Sequence, residues 1–327
     1  MKLKLEPAIK PTVCILGGTG FVGHHLANEL VEQGHKVKIL TRRRERHREL
    51  LVLPQIEVIE ANVHDADVLR GHFTGCGTVI NLIAILNETH RGDFRKVHVE
   101  LVQKIIQACR AGGVRRLLHM SALNADARQG LSQYQQSKGE GEDLAHSAAD
   151  KGLQVTSFRP SVIFGPGDHF FNRFARLLKS IPFALPLACP DARFAPVHVG
   201  DIVSVFITSL KDKATIGQRY DLCGPHVYTL QQLVEYTAEV LEIHRKVIGL
   251  GDGLSRLQAR IMQHLPGKPL TYDNYLSMQV ESVCHQKIPE IFEITPTPIE
   301  AVVPVYLLDD NQRARFDTYR SRSRHDY

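Results

Sequence analysis

An α/β protein built on a doubly wound parallel sheet, with a small, mostly helical C-terminal lobe, is the fold class that this sequence predicts. Three observations predict it. Short β-branched runs alternate with amphipathic helical stretches through the first half. A run of glycines stands between the first strand and the first helix. After Pro160 the alternation loosens and prolines punctuate the chain.

Taken in order, Thr12 to Leu16 reads as a strand, and Phe21 to Gln33 as a helix with Val22, Leu26, Leu30 and Val31 on one side. Lys36 to Leu40, Ile56 to Ile59 and Thr78 to Ile83 read as the second to fourth strands. Asp93 to Ala111 reads as one long helix whose interior side carries Phe94, Val97, Leu101, Ile105 and Cys109. Arg116 to Met120 is the fifth strand, Tyr134 to Ala149 a helix, and Gln154 to Phe158 a sixth strand. Parallel strands need crossover helices, and right-handed crossovers place a ligand crevice at the carboxyl ends of the strands. Beyond Gly165-Pro166-Gly167, Phe194 to Val199 reads as a short strand, Asp201 to Leu210 as a helix and Tyr220 to Cys223 as a strand. Thr229 and Gln232 form a capping box ahead of a helix ending near Leu241. The domain reading is an N-terminal segment 1–11, a dinucleotide-binding domain 12–165, and a C-terminal lobe 166–312 interleaved with the sheet near 194–223. A basic tail, 313–327, closes the chain.

The 327 residues suffice for one large α/β domain and a smaller lobe. The net charge of +5 is mild. Its basic clusters, Arg42 to Arg48 and Arg313 to Arg324, have no interleaved aromatics, which argues against nucleic acid. The six cysteines are scattered with no metal-ligand spacing, and Cys14, Cys109 and Cys223 lie in apolar stretches, so buried reduced thiols are expected. No HExxH or paired-His spacing points to a metal. Met1 to Pro11 lacks an apolar leader and no run approaches a membrane span. The expectation is a cytoplasmic protein whose membrane contact, if any, is peripheral.

The glycine run carries the chemistry. Gly17, Gly20 and Gly23, with Thr19, Phe21 and Val22 between them, follow an apolar strand and open an amphipathic helix. In this Rossmann-type context Gly17 permits the tight turn, Gly20 lets the backbone approach a pyrophosphate, and Gly23 lets the helix pack against the strand. An NAD-selective site carries an acid about 20 residues on, at the end of the second strand. Here Thr41, Arg42 and Arg43 stand there. A guanidinium grips a 2′-phosphate that a carboxylate would repel, so NADP(H) is expected over NAD(H).

With Ser121, Tyr134-x-x-x-Lys138 and Arg159-Pro160-Ser161-Val162-Ile163-Phe164-Gly165-Pro166, the chain resembles an extended or atypical short-chain dehydrogenase/reductase over residues 12 to about 210. Leu118 to Ala125, Ser137 to Glu142, Phe158 to Asp168 and Leu265 to Thr271 with Asp273-Asn274-Tyr275 are similar to the nucleotide-binding accessory subunits of respiratory complex I and their bacterial relatives. The resemblance implies that Asn62 and Val63 sit by the adenine, although most relatives have Asp where Asn62 stands. It implies that Leu82, Ile83 and Ala84 line the path under the nicotinamide ribose, and that Pro160 and Val162 flank the nicotinamide.

Tyr134 and Lys138 are four residues apart and share a helix face. In active members of the superfamily the tyrosine transfers a proton and the lysine holds the ribose. Active extended members place Ser or Thr a residue or two after the position of Ser121, whereas this chain has Ala122 and Leu123. The resulting expectation is a protein that holds NADP(H) as a subunit or assembly factor of a respiratory or quinone-related system. The alternative is an active oxidoreductase or epimerase using Tyr134, Lys138 and Ser121 on a small or lipid-like substrate. Leu254, Leu257, Ile261, Met262 and Leu265, with Arg256, Arg260 and His264, form a basic amphipathic stretch that either packs on the lobe or docks to a membrane surface or partner.

Overall fold

The computed structural model describes residues 10–149 and 152–308. The Arg313 to Arg324 cluster, the tail 313–327 and most of the segment 1–11 lie outside the described residues. The chain forms two compact units. One takes residues up to Arg159 together with Ile202–Tyr220, and the other takes Pro160–Asp201 and residues from Asp221 onward.

The first unit is built on β1 (Thr12–Leu16), β2 (Val37–Thr41), β3 (Ile56–Glu60), β4 (Cys76–Asn81), β5 (Arg116–Met120) and β6 (Gln154–Pro160). A late strand, β11 (Arg219–Leu222), completes a seven-stranded sheet in the order β11-β6-β5-β4-β1-β2-β3. Every pairing from β3 across to β6 is parallel. The order reverses between β1 and β4, so the carboxyl ends of these two strands form the topological switch point at which such sheets bind ligands. Central parallel strands are covered on both faces, and Val13, Cys14, Ile15 and Leu16 of β1 are accordingly all buried.

The connecting helices are α1 (Phe21–Glu32), α2 (Arg48–Leu51), α3 (Ala66–Phe73), α4 (Asp93–Arg95), α5 (Leu101–Ala111) and α6 (Gln133–Ser147). Leu69 and Phe73 of α3 pack with Leu101, Ile105 and Cys109 of α5, Val79 of β4 and Leu117 of β5 in one cluster. The helix α3 went unread in the sequence, although Asp65 marks its start by accepting the N–H groups of Asp67 and Val68.

Two elements differ from expectation for local reasons. The fourth strand ends at Asn81, two residues early, where the Asn81 side chain takes the Ile83 N–H (3.2 Å) in place of a neighbouring strand. The long helix expected over Asp93 to Ala111 is interrupted by a π-turn at Lys96–Glu100. Its wider turn shifts the helical phase, so His98 and Val99 are buried and Val97, expected inside, is only half-buried.

The second unit contains β7 (Ile163–Phe164), β8 (Ala184–Leu187), β9 (Arg193–Phe194), β10 (Val197–His198), β12 (Tyr228–Thr229) and β13 (Lys246–Gly249). They pair as β7 with β10, β9 with β12 and β8 with β13. The single strand expected over Phe194 to Val199 is thus two short ones. Its helices are α7 (Phe171–Ser180), α9 (Leu230–Val240), α10 (Asp252–Met262), α11 (Tyr272–Ser277) and a segment at 299–308. Between α7 and α9 in sequence, α8 (Val199–Lys211) carries the chain back into the first unit. The Thr229–Gln232 capping box forms as the sequence indicates. Asp168 is buried and holds the unit together, accepting the Tyr306 hydroxyl (2.5 Å) and the Phe170 N–H (2.9 Å). Cys223 corrects one expectation. It is not a reduced thiol but is joined to Cys284 in a disulfide, 61 residues away in sequence, with Cα atoms 5.9 Å apart. Cys14, Cys76 and Cys109 are free and buried. Among the described residues, no helix is long and apolar enough to cross a membrane.

Candidate functional site

The site is assembled in the first unit at the carboxyl ends of β1, β2, β4 and β5. Gly17 follows β1 with φ +80°, a conformation glycine adopts freely, and its carbonyl accepts the Gly20 N–H (3.0 Å). A Cβ built on Gly23 would lie 2.3 Å from the Gly17 oxygen and 2.5 Å from the Gly18 Cα. Only glycine lets α1 approach the turn this closely. Gly18, unassigned by the sequence pattern, is also constrained, since a Cβ there would meet Ile39 of β2 at 2.9 Å. Gly20 caps α1 with no side-chain hydrogen bond, and no acid stands in the helix's first turn. The first-turn N–H groups and the helix dipole are therefore offered to an anion, as a pyrophosphate requires. Thr19, Phe21 and Val22 are half-buried around this turn.

Leu82, Ile83 and Ala84 leave β4 beside the glycines. The Leu82 N–H donates to Leu16 (2.9 Å), and a Cβ on Gly17 would sit 3.2 Å from the Ile83 nitrogen. At the end of β2, Arg42 and Arg43 are exposed, and the Arg43 N–H donates to the Thr41 hydroxyl at 3.4 Å. At the end of β3, Val63 is buried and Asn62 is exposed, its side-chain oxygen accepting the His64 N–H (3.1 Å). His64 has its pKa lowered first by burial and then by Lys96, Lys104 and Arg42. Lys104 also donates to the His64 carbonyl at 2.8 Å. Unlike Arg42, these lysines are not marked by the sequence pattern; they come from the π-turn and α5 and reach the same positive region only through the fold.

Lys138 is buried, and its ammonium donates to the Met120 carbonyl (2.7 Å), next to Ser121. Burial lowers its pKa to about 8, with Glu142 pulling the other way. Burial pushes the Tyr134 hydroxyl up to about 12. Both side chains come from α6, whose start is set by a capping box between Ser132 and Gln135. The Ser121 backbone N–H donates to Phe158 (2.7 Å), while its hydroxyl is buried without a partner. Pro160 closes β6 and Val162 accepts the Val197 N–H (2.9 Å) within the second unit.

A set of residues that sequence reasoning missed braces the pair. The Ile85 N–H donates to Nε2 of His98 (3.1 Å), so Nδ1 carries the proton and donates to the Ser137 hydroxyl (2.9 Å). Ser137 in turn donates to the Tyr134 carbonyl (3.0 Å), and the His98 ring lies edge-on to Tyr134 with centroids 5.6 Å apart. Asn81 and His119 are hydrogen-bonded at 3.2 Å on the adjoining strands. Burial, then Lys138, lowers the pKa of both histidines, that of His98 to about 3. They are neutral struts, which a buried ammonium tolerates where a second cation would be repelled.

The NAD dependent epimerase/dehydratase family matches residues 13–223, a span that takes in the glycine run, Ser121, Tyr134 and Lys138. Subunit 9 of the NADH dehydrogenase [ubiquinone] 1 alpha subcomplex from Mus musculus mitochondria is 33% identical over 228 residues, covering 68% of this chain and 59% of that protein. The chain thus spans less than two thirds of that relative's length. The ceramide reductase of Caulobacter vibrioides is 30% identical over 243 residues, 73% of this chain and 74% of the relative. The structure of MoeE5 with UDP-glucuronic acid and NAD superposes with a TM-score of 0.64 at 23% identity, covering 73% of this chain and 85% of that one. The strand order, the glycine turn and the family match together place this chain in the NAD dependent epimerase/dehydratase family, the extended branch of the short-chain dehydrogenase/reductases.

Proposed function

We propose that this protein binds NADP(H) and retains it as a subunit or assembly factor linked to respiratory complex I or quinone metabolism, peripheral to a membrane on its cytoplasmic face. The observation that carries the cofactor reading is the close approach of Gly23 to Gly17, at a helix terminus with no side-chain cap and no acid in its first turn. The group fits these residues. The α1 terminus would hold the pyrophosphate. Arg42 and Arg43, within the field of Lys96 and Lys104, would hold the 2′-phosphate. Asn62 and Val63 would meet the adenine, and Leu82 to Ala84 the path to the nicotinamide ribose. Pro160 and Val162 are assigned to the nicotinamide on family likeness alone.

A bound nicotinamide supplies hydride transfer. The protein's own part would be to keep a proton on the Tyr134 hydroxyl, which burial favours, and to hold the ribose through Lys138. What supports retention over turnover is the burial of Ser121, the hydroxyl that the family pattern would offer to a substrate carbonyl. Ser121 is 3% exposed, and Ala122 and Leu123 follow it. The assembly role is supported by the mouse complex I relative. A second reading, reduction of a lipid-like carbonyl, is favoured by the intact Tyr134–Lys138 pair and by the Caulobacter relative.

The two readings part on turnover. NADPH-loaded protein, screened against quinones, aldehydes, sugar nucleotides and long-chain keto lipids, is expected to show no substrate-dependent oxidation. Tyr134→Phe is expected to leave co-purification with membrane complexes unchanged. Substrate-dependent oxidation that Tyr134→Phe abolishes would establish the second reading instead.

A further inference from the structure

The helix α10 is turned inside out relative to an ordinary packed helix. Ser255 and Ala259, its small residues, are buried against the second unit. Its large aliphatic residues face solvent: Leu254 is 58% exposed, Leu257 52% and Ile261 58%, with Leu265 in the following turn at 46%. Spacings of three and four residues place them on one stripe of the helix. Burial of small residues and exposure of four bulky ones is the reverse of what folding alone selects.

Between Asp252 and Asp273 the chain around this stripe carries charge of one sign. From Gly253 to Tyr272 there is no Asp or Glu, while Arg256, Arg260 and Lys268 are cationic. Both guanidiniums are exposed and stand over the Tyr272 ring, 5.8 Å and 5.3 Å from its centroid, so α11 holds them in place. The nearest acid N-terminal to the stripe, Asp252, is engaged by the Tyr275 hydroxyl at 2.5 Å.

We propose that α10 is a membrane-docking element that lies in the surface of an anionic phospholipid bilayer. Leu254, Leu257, Ile261 and Leu265 enter the acyl boundary, and Arg256 and Arg260 meet the headgroup phosphates. Aliphatic residues in a stripe with no acid among them, flanked by cations held over Tyr272 while Asp252 is engaged by Tyr275, complement a surface that is apolar below and anionic above. The inference does not rest on the cofactor reading, since α10 belongs to the other unit.

Flotation with vesicles of phosphatidylcholine containing about a third phosphatidylglycerol tests it, beside vesicles of phosphatidylcholine alone. The full chain is expected to bind the anionic vesicles in a salt-sensitive manner and the neutral ones weakly. Leu257→Glu with Ile261→Glu is expected to abolish binding. Arg256→Gln with Arg260→Gln is expected to weaken it by roughly ten- to thirtyfold and to remove much of the salt sensitivity. Because all four side chains are exposed, circular dichroism and NADPH affinity are expected to match wild type. Equal vesicle binding by wild type and the Glu variants, or none by wild type, overturns the proposal. So does a wild-type oligomer that the Glu variants dissociate without any vesicle binding, which would make α10 a contact between copies of the chain.

Discussion

Replacing Gly23 with alanine is expected to destroy dinucleotide binding while leaving the charge untouched. The added methyl carbon would sit 2.3 Å from the Gly17 oxygen and 2.5 Å from the Gly18 Cα, both main-chain atoms that no rotamer change can move aside. Either α1 withdraws from the turn or the turn opens, and both spoil the alignment of first-turn N–H groups. Overpacking of this kind costs roughly 1–3 kcal/mol of stability. Loss of an aligned anion site is expected to weaken NADPH by about a hundredfold or more. Gly71→Ala is the matched control. It lies within α3, a Cβ there meets nothing within 4 Å, and helix propensity predicts a gain of roughly 0.5–1 kcal/mol. Thermal melts and NADPH titration of the two variants are expected to move in opposite directions in stability. Gly23→Ala with wild-type affinity would show that the close approach of α1 does not build the site.

The second large effect is acid instability. His98 and His119 are buried and held neutral when folded, whereas in an unfolded chain each protonates near 6.5. Below that pH the unfolded state binds more protons, so their contribution is intact above about 6.5 and is lost as pH falls. For His98 the loss continues down to its folded value of about 3. For His98 this amounts to up to about 1.4 kcal/mol per pH unit, roughly 2.5 kcal/mol by pH 4.5, and the burial of His119 acts in the same direction. A loss of that size is a large part of a domain's stability. Urea denaturation from pH 7 to 4.5 is expected to show a steep fall in stability, and His98→Asn is expected to flatten the slope by about one proton. A profile that stays level over this range would mean that the rings are not held neutral.

The parts of this molecule legible in its sequence are those specified by neighbours in the chain. The β1–glycine–α1 turn, the Thr229–Gln232 cap and the Tyr134–Lys138 face all lie within a few residues and follow from local geometry. The π-turn at Lys96–Glu100 was not legible, because reading a helix at a uniform period carries Val97 inward and hides His98. Where β4 ends, the Asn81 side chain takes the Ile83 N–H, which a run of apolar residues conceals. Cys223 and Cys284, and the grouping of Lys96 and Lys104 with Arg42 around His64, depend on contacts that only the folded chain makes. The exposure of the α10 stripe is of the same kind. Its periodicity was plain, but which face is covered depends on Ser255 and Ala259 finding the rest of the unit.

The proposed function requires the end of β2 to read a 2′-phosphate. Calorimetric titration of wild type and Arg42→Asp with NADPH and NADH tests this most directly. Wild type is expected to prefer NADPH. On the proposed reading the substitution would remove a charge-assisted contact and place a carboxylate at the phosphate, so NADPH is expected to weaken by about a hundredfold and NADH by less than about threefold. Equal weakening of both dinucleotides, or a wild-type preference for NADH, would contradict it.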